Sequence, residues 1–460
     1  MYSSLAPKIL RGCFPGFSKR LLLRRSHNVP FQDDLTPLDD DLFNLQDFQH
    51  YREAPDVLAL KKKLGLEDSS YERKTLINTH TAPEQPRTFE DYCTAKEPVV
   101  FVLKIQNPYL NLAVEDYIYN AMAVPEKGAP NCNRLLFYVN SPCVVIGKNQ
   151  NPWKEVNLPL LTNLRLPLVR RRSGGGTVVH DTGNVNYSFM TTRDKFDRFA
   201  FTRLVADAVN TVAVPEKHVI VNDRGDIVIK NGAEKVSGSA YKISRGKSYH
   251  HGTMLLNLKL SVLRQLLHRD ETKFGSVHAS SAVASVKSPV TNLEIDTQRF
   301  IDALTAKFQD AYGVASRTDS AKAGDIYQTD LLGLGDFVAA FTPKSSLLYV
   351  ITENGPLPAE IGRTRNELIQ WSWRFGATLK FLHTLENARR KVSVRIDVGP
   401  KALVTDVHVE GPRDAASAFE FLKQAIKSGR GIPYTGSLVA GYVLDDELSE
   451  WIGQAIDGTS

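Results

Sequence analysis

Short apolar runs alternate with polar turns along most of this chain, and the first clear one begins near residue 98. The run PVVFVLKI at residues 98–105 is rich in β-branched side chains, which predicts a strand. Residues 112–122 follow with apolar side chains at helical spacing, and Asn111 is the expected N-terminal cap of that helix. The runs LLFYVN and CVVIGKN then predict two further short strands.

The middle of the chain predicts paired strands joined by glycine-containing turns. Residues 166–190 are expected to form a meander in which LPLVRRR, TVVHD and VNYSFM are strands, and SGGG is a tight turn between the first two. Residues 234–260 predict a hairpin that turns at SRGK. Helices are expected at 262–270 and 297–312, on either side of a serine-rich loop at 278–293.

The last hundred residues form a separate pattern, which opens with WSWRFG at 371–376 and continues as two strands and a helix at 415–426. Strands and helices mix without βαβ regularity, so the predicted class is α+β, with a mixed β-sheet and a small α/β C-terminal accessory domain. The expected divisions are a leader at 1–32, a loosely ordered polar lead-in at 33–95 with one helix near 55–65, a main domain at 96–340, and a linker with the accessory domain at 341–460.

The distribution of charge along the chain limits which partners are expected. The net charge is +6, but the first 32 residues contain six basic side chains and no acid, and this excess leaves the rest of the chain neutral. A nucleic-acid partner is therefore not expected. No apolar run is long enough to span a membrane. The basic leader predicts a mitochondrial presequence, with a disordered basic tail as the alternative. Those six residues are Lys8, Arg11, Lys19, Arg20, Arg24 and Arg25.

The cysteines and histidines do not form a recognisable metal or disulfide pattern. Four cysteines show no CxxC spacing, which suits a reducing compartment such as the mitochondrial matrix. His250 and His251 are adjacent, so in a strand they face opposite ways and cannot bind one metal together. The Gly-Lys-Ser at 246–248 lacks the glycine at 241 that a phosphate-binding P-loop needs, and SGGG precedes a strand rather than a helix.

The stretch RRRSGGGTVVHD at residues 170–181 carries the strongest chemical signal. Ser173 and the three glycines expose backbone amides that side chains do not shield, which predicts an anion-binding turn. Arg171 adds a fork-shaped donor suited to phosphate or carboxylate. A plain glycine hairpin with solvated arginines is the alternative. Lys235, beside the small residues VSGSA, can neutralise charge on an acyl-phosphate oxygen, unless it is an ordinary exposed lysine.

Together these stretches resemble one known family. RRRSGGGTVVHDTGN at 170–184 and KVSGSAYKISRGKSYHHGTMLLN at 235–257 are similar to the lipoate–protein ligase A and mitochondrial lipoyltransferase family, in the biotin/lipoyl protein ligase superfamily. IGKNQNPWKEVN at 146–157 and WSWRFG at 371–376 strengthen the match, which covers the chain from about residue 98 to its end.

The resemblance implies a catalytic domain of the biotin/lipoyl ligase type and a two-step reaction. Lipoate or octanoate reacts with ATP, whose phosphates bring Mg²⁺, to give an acyl-adenylate. A lysine of a lipoyl domain then attacks the mixed anhydride and releases AMP. The implied partners are the acyltransferase subunits of 2-oxoacid dehydrogenase complexes and the glycine-cleavage H protein, and the implied enzyme is a monomer. No metal ligand is assigned to the chain itself.

The resemblance also implies roles for individual residues. Lys235 is assigned as the catalytic residue, which holds the acyl carbonyl and the α-phosphate. Trp153 and His180 are assigned to the lipoyl pocket, with a core role for Trp153 as the alternative, and the loop around Ser285 folds over the adenylate. The remaining contacts with the adenylate or ATP are assigned to Arg171, Ser173, Gly175, Gly176, Thr177, Val178, Val179, Arg224, Thr253 and Lys235 again.

Two departures from the family pattern are visible. The spacing between Arg224 and Lys235 is slightly longer than in some relatives, which makes the assignment of Arg224 weaker. Cys143 stands where the family often has threonine, and it is expected to be a small buried residue rather than a nucleophile. The arginines at 170–172 either steer an acidic lipoyl domain or are solvated strand residues.

Four functions remain to be compared. A complete ligase activates lipoate with ATP. A transferase takes the acyl group from lipoyl-AMP, from a thioester or from another lipoylated protein, and the accessory domain and Lys235 suit both enzymes. If the protein only bound lipoyl domains and had no enzymatic activity, we would expect the adenylate-binding residues to be lost. Arg171, the glycines and Lys235 are intact. A biotin ligase predicts a GRGRxGR-type loop, whereas SGGG occupies the turn.

Overall fold

The computed structural model describes residues 87–126, 132–315 and 344–459. Strands and helices mix in the described part of the chain, which confirms the predicted α+β class. The expected leader at 1–32 and the helix expected near 55–65 lie outside the described residues. No helix of the described part has the length and apolarity needed to cross a bilayer.

The helices and strands are numbered here in chain order. The strands are β1 (Val99–Leu103), β2 (Arg134–Tyr138), β3 (Cys143–Ile146), β4 (Leu168–Arg170), β5 (Val178–His180), β6 (Asn184–Thr192), β7 (Val219–Val221), β8 (Ile227–Ile229), β9 (Ser237–Ser244), β10 (Lys247–Leu255), β11 (Ser276–His278), β12 (Val314–Ala315), β13 (Lys344–Ser345), β14 (Leu347–Ile351), β15 (Phe381–Asn387), β16 (Val392–Val398), β17 (Leu403–Glu410) and β18 (Ile432–Pro433). The helices are α1 (Phe89–Thr94), α2 (Pro108–Ala121), α3 (Pro152–Glu155), α4 (Leu158–Asn163), α5 (Arg198–Val212), α6 (Leu260–Leu267), α7 (Glu271–Phe274), α8 (Thr297–Tyr312), α9 (Ala359–Ile369), α10 (Trp371–Arg374), α11 (Arg413–Ser417), α12 (Glu420–Lys427), α13 (Gly436–Ala440) and α14 (Asp446–Ile456).

The main sheet has six strands in the order β14-β1-β2-β6-β10-β9. Its first three strands are parallel and the others are antiparallel, so the sheet is mixed. Helices cover both of its faces: Phe101 and Leu136 pack in the core of α2 and α9, whereas Val100 and Phe137 pack in the core of α5 and α8. Burial on both faces explains why VVFVL is a continuous apolar run rather than an alternating one.

The predicted hairpin at 234–260 is confirmed. Strands β9 and β10 pair in antiparallel register, with Lys247 opposite Ser244. Arg245 and Gly246 between them have φ of 53° and 73°. Two successive left-handed residues form the type of turn that matches the twist of a β-hairpin.

The expected cap of the second helix is wrong. Asn107 caps α2, and its side-chain oxygen accepts hydrogen bonds from the amides of Tyr109 and Leu110, while Pro108 occupies the first helical position. Proline sets the start because its ring fixes φ and its missing N–H is not needed there. Asn111 lies one turn inside the helix, fully buried, and donates to the carbonyl oxygen of Ile105.

The expected meander at residues 166–190 is also wrong. Strands β4 and β5 flank the glycine turn but do not pair, because β3 lies between them, parallel to β4 and antiparallel to β5. The third expected strand, β6, belongs to the main sheet. The turn therefore crosses over the end of β3. The residues of the turn itself do not indicate that a distant strand lies between its two flanking strands.

The second large sheet is antiparallel, in the order β11-β15-β16-β17-β18, and it contains the two strands expected near the C-terminus. The helix expected at 415–426 is two helices, since Phe419 (φ −95°, ψ 0°) interrupts it while packing fully buried in the core. β11 precedes the expected domain division at 340 and β14 follows it, so each sheet takes a strand from across that division. The domain limits stay a prediction.

Arg170 joins the part of the chain from residue 371 onward, called the C-terminal unit here, to the rest of the protein. Its fully buried guanidinium donates to the carbonyl oxygens of Lys148 and Gln150 at 2.8 Å each, to the carbonyl oxygen of Arg374 at 2.9 Å, and to Thr378 Oγ1 at 2.7 Å. Burial lowers its pKa to about 10, so it stays charged at neutral pH. A buried charge is tolerated because polar acceptors surround it.

We expect Arg170→Leu to lower the free energy of unfolding by about 3–5 kcal/mol, because it leaves four acceptors without their donor. The midpoint of urea unfolding measures this. Arg389→Leu is the matched control, since the Arg389 side chain is 85% exposed and pairs with Glu447 at 3.2 Å. Its effect should stay within about 0.5 kcal/mol. Equal midpoints for both variants would contradict the role of Arg170.

Candidate functional site

The glycine turn rests on the loop that follows β3. The amide of Lys148 donates to the carbonyl oxygen of Ser173 at 2.8 Å. A Cβ on Gly147 would lie 2.1 Å from the carbonyl oxygen of Gly175, so glycine is required at 147 for this close approach. Gly175 itself has φ of 88°, in the left-handed region. The family-like stretches at 146–157 and 170–184 therefore form one structure.

Arg171 lies inside the turn. Its guanidinium donates to the carbonyl oxygens of Gly174 at 2.6 Å and Gly176 at 2.7 Å, and to Ser173 Oγ at 3.1 Å. The residue is 6% exposed, and burial lowers its pKa to about 10. Arg170 and Arg171 are both buried, so neither steers a partner at the surface and neither is solvated. For these two residues both expectations are wrong.

Arg172 ties the same turn to two helices. Its guanidinium pairs with Asp116 of α2 at 2.7 Å and with Glu367 of α9 at 2.6 Å. Lys242 of β9 also reaches Asp116, at 3.0 Å. The arginines at 170–172 thus connect the turn to the C-terminal unit, to the turn's own carbonyls, and to the helices of the main sheet.

The amides of the turn, unlike its carbonyls, are largely free of partners within the described residues. In the described ranges, no acceptor is found for the amides of Gly174, Gly175 and Gly176, whereas the next amide, of Thr177, donates to Ser285 Oγ at 2.9 Å. A Cβ on Gly174 would meet no atom within 4 Å, so the turn is open on that side. A row of unused amides beside open space can bind an anion.

Gln150 organises the floor of this site, and the sequence reasoning did not assign it. Its side-chain oxygen accepts from the amide of Gly147 at 2.8 Å and from Thr177 Oγ1 at 3.0 Å, and its nitrogen donates to Ser285 Oγ at 2.9 Å. Its position in the family-like stretch IGKNQNPWKEVN is the sequence feature that could have identified it. Ser285, at the centre of the serine-rich loop, is thereby held against the turn, and the folding of this loop over the adenylate stays a prediction.

The second motif lies directly against the first. A Cβ on Gly175 would lie 3.1 Å from the Ala240 side chain, and one on Gly238 would lie 3.5 Å from Val178. The amide of Gly238 donates to Thr253 Oγ1 at 3.3 Å. The structure therefore brings Val178 and Thr253 together with the glycine turn, beside the small residues of β9.

Lys235 lies just before β9 and is part of an ion-pair cluster. Its ammonium contacts Asp226 Oδ1 at 2.6 Å, and Arg224 Nε is 3.8 Å from the other oxygen of that carboxylate. Arg224 is 60% exposed, so it reaches the cluster from the surface. The backbone of Lys235 also bonds the serine-rich loop, through the carbonyl oxygen of Pro289 at 2.8 Å. Asp226, in NDRGDIVI, was not assigned from the sequence.

His180 lines a small cavity next to β5. Asn140 Nδ2 donates to His180 Nδ1 at 2.8 Å, because Asn111 already donates to the oxygen of the same amide. The ring proton is therefore assigned to Nε2, which has no partner within the described residues. Burial lowers the pKa of His180 to about 3, so it is neutral at pH 7. The cavity is lined by Pro142, Cys143, Leu166, Val179, His180, Asp181, Lys259, Val262 and Leu266.

Two residues of the sequence analysis belong to the core. Cys143 is fully buried, as expected, and burial raises the pKa of its thiol, which leaves it un-ionised and unsuited to nucleophilic attack. Trp153 is 1% exposed, and its ring stands 5.1 Å from Phe381 and 5.3 Å from both Phe375 and Tyr434. This placement agrees with the core alternative for Trp153, and its role in a lipoyl pocket stays a prediction.

We expect Gly175→Ala to destabilise the protein by at least about 1–2 kcal/mol, because alanine disfavours a left-handed φ. Its Cβ would also lie 2.8 Å from Arg171 Nη2. Gly174→Ala is the control in the same turn, since nothing lies within 4 Å of its Cβ, and it should be neutral or stabilising. Urea unfolding measures both. Similar midpoints would mean that the turn does not require the left-handed residue.

Comparison with known proteins gives one consistent family. Residues 107–309 match the lipoyl protein ligase A/B catalytic domain. A Schizosaccharomyces pombe protein named lipoate-protein ligase A is 37% identical over 304 residues, which are 65% of this chain and 76% of that protein. The mitochondrial lipoyl amidotransferase LIPT1 of Homo sapiens is 34% identical, over 66% of this chain and 74% of its own length. The lipoate-bound LipL1 structure of P. falciparum, at 21% identity, covers 78% of this chain and 99% of its own, with a TM-score of 0.46. The chain thus belongs to the lipoate–protein ligase A family of lipoyl-attaching enzymes.

Proposed function

We propose that this protein activates lipoate with ATP and transfers the lipoyl group to a lysine of a lipoyl domain. The observation that carries the proposal is the glycine turn, whose unused amides lie beside the VSGSA strand that begins next to Lys235. A row of free amides suits the phosphate of an acyl-adenylate, and we assign Lys235, on the same stretch of chain as Gly238 and Ala240, to the same ligand. Octanoate, which shares the carboxylate, is the alternative substrate.

The two steps balance without a covalent enzyme intermediate. The carboxylate oxygen of lipoate attacks the α-phosphorus of ATP, and pyrophosphate leaves. The neutral amine of the acceptor lysine then attacks the acyl carbon of the mixed anhydride and an amide bond forms. AMP leaves with the bonding electrons, and the proton lost by the amine passes to the solvent. Lys235 stabilises negative charge on the acyl carbonyl oxygen and the α-phosphate in both steps, which requires its ammonium to exchange Asp226 for the ligand.

The chemistry of the site fits Mg²⁺ brought by the phosphates of ATP. In the described ranges, the group of three potential metal ligands is Asp397, Asp406 and His408, on the C-terminal sheet rather than at the glycine turn. We assign no protein ligand to the ion. When bound, Mg²⁺ neutralises phosphate charge, while the chain's own amides and Lys235 orient the α-phosphate.

The cavity beside His180 suits the lipoyl chain. Most of its lining is apolar, and the neutral imidazole offers one N–H donor. Val179 lies on β5, directly after the turn that we assign to the phosphate, so an acyl chain extending from the adenylate follows this strand.

A transferase without its own ATP-dependent step is the second candidate, and the identity with the human lipoyl amidotransferase favours it. The same turn and the same lysine serve a preformed lipoyl-AMP, and the same cavity serves an acyl thioester. Lipoyl domains of 2-oxoacid dehydrogenase complexes and the glycine-cleavage H protein are the proposed acceptors in either case. The basic leader and the mitochondrial relative support the mitochondrial matrix as the location.

One experiment separates the two candidates. The full chain is incubated with lipoate, ATP, Mg²⁺ and H protein, and both pyrophosphate release and the mass of the H protein are measured. Pyrophosphate with a lipoylated acceptor supports the ligase. Modification only when lipoyl-AMP or an acyl thioester is supplied supports the transferase. An unmodified acceptor under every donor contradicts the proposed function.

We expect Lys235→Ala to reduce acceptor lipoylation at least about 100-fold, because the charge on the phosphate and acyl oxygens loses its partner. Mass spectrometry of the acceptor measures the rate. Lys230→Ala is the control, since Lys230 is an exposed lysine in the same region and has no role in the site. Equal losses in the two variants would mean that Lys235 contributes only surface charge.

A further inference from the structure

The main sheet ends at β9 with a free edge beside the glycine turn. β9 is the last strand in the order β14-β1-β2-β6-β10-β9, and no strand of the described ranges pairs with its outer side. The edge passes the turn at Ala240, because a Cβ on Gly175 would lie 3.1 Å from the Ala240 side chain and 3.8 Å from the carbonyl oxygen of Ser239. A chain segment paired with β9 therefore leads to the turn.

The backbone groups that face this edge follow from the geometry of the hairpin. The turn at 245–246 has two residues, so the flanking pair, Ser244 and Lys247, exchanges both of its backbone hydrogen bonds. Pairs that are hydrogen-bonded and pairs that are not then alternate along the two strands. The residues whose N–H and C=O groups face away from β10 are thus Ser239, Tyr241 and Ile243.

This edge lacks the features by which proteins usually protect an exposed strand. β9 contains no proline, and its register with β10 runs without a bulge. Its one charged side chain, Lys242, is bound to Asp116 of α2 at 3.0 Å. Ile243, near the hairpin turn, is 49% exposed. An unprotected edge of this kind is available for pairing with a strand of another protein.

Three exposed basic side chains lie at the hairpin end of the same edge. Arg245 is in the turn, and the amide of Arg193 donates to the carbonyl oxygen of Gly246 at 2.9 Å. Lys195 follows on the same short helical turn. No carboxylate of the described part forms an ion pair with any of the three. Three basic groups against one acidic group, Asp194, make this end of the edge positive, which favours a partner with carboxylates.

The proposed reaction determines what has to reach this edge. Its nucleophile is a lysine of a protein domain, whose amine has to arrive beside the glycine turn. A strand that pairs with Tyr241 and Ile243 achieves this, because its continuation passes the turn at Ser239. The basic end begins about five residues, or roughly 16 Å of extended strand, from Ala240. Carboxylates that meet it are therefore expected about five residues from the lysine.

We propose that the free edge of β9 is the docking site for the acceptor, which adds a strand next to its target lysine and places carboxylates against Arg193, Lys195 and Arg245. This inference rests on the proposed function, because it states how the acceptor of that reaction is bound. Main-chain hydrogen bonds do not depend on side-chain identity, so several acceptor domains can use one edge. The basic end then selects acceptors by charge.

The first test is amide hydrogen exchange of the full chain, alone and with a glycine-cleavage H protein whose target lysine is replaced by arginine. We expect the amides of Tyr241 and Ile243 to exchange at least about tenfold more slowly in the complex, because they gain hydrogen bonds. β14 is the matched control, since it is the other edge strand of the same sheet. Its exchange should not change.

The second test reverses the basic end and measures lipoylation of the H protein with lipoyl-AMP as the donor. The reversed variant combines Arg193→Glu, Lys195→Glu and Arg245→Glu. We expect its KM for the H protein to rise at least about tenfold, while kcat and the KM for lipoyl-AMP stay within about twofold of wild type. A role in folding alone would not produce this split.

A matched control for the second test has the same change in net charge. It reverses three exposed basic residues on other elements, and these are Arg264, Lys380 and Lys427. We expect this variant to keep the wild-type KM for the H protein within about twofold, because its charges lie away from β9.

The outcomes separate the inference from the proposed function. Protection of β9 together with a rise in KM that is confined to the reversed basic end supports the inference. No protection of β9, or no selective rise in KM, overturns it, while lipoylation by the wild-type chain leaves the proposed function standing. Protection that appears in the chain alone and grows with its concentration also overturns it, since a second copy then covers the edge. A wild-type chain that modifies no acceptor from any donor overturns the proposed function, and the inference with it.

Discussion

The arrangement of the whole site depends on two guanidinium groups that are buried within one strand and turn. A buried charge is costly unless acceptors surround it, and here backbone carbonyls and hydroxyls supply them. Arg170 takes its acceptors from two distant segments, 148–150 and 374–378, which it thereby holds together. Arg171 takes its acceptors from the glycine turn itself. Because each guanidinium has a fixed fork of donors, these contacts set positions as well as adding stability.

This constraint explains the composition of the turn. Gly175 lies between the two carbonyls that face the Arg171 guanidinium, and its φ of 88° is one that glycine adopts readily. In the resulting turn, Arg171 takes up the carbonyls of Gly174 and Gly176, while no acceptor is found in the described ranges for the three glycine amides. A side chain at Gly147 would collide with the turn, and one at Gly175 would meet Arg171, so the glycines also allow the close approach of two loops.

The two large sheets are joined rather than merely adjacent. A strand of each comes from the other side of the expected division at residue 340, and Trp153 of α3 packs among aromatic rings of the C-terminal part. The floor of the site, through Gln150 and Arg170, rests on this junction. Substitutions in the C-terminal part are therefore expected to change the geometry of the turn as well as local stability.

Local signals in the sequence determined much of this protein: the α+β class, the hairpin that turns at SRGK, the burial of Cys143, and the family, which the spacing of four motifs indicated. Tertiary structure decided the rest. The insertion of β3 between β4 and β5, and the burial of Arg170 and Arg171, depend on partners far away in the chain. So do the hydrogen bonds that join Glu115, His251 and Ser173, which belong to a helix, a strand and the glycine turn. Sequence patterns report which residues can turn, pair or carry charge, but only the packed chain fixes which acceptor each donor meets.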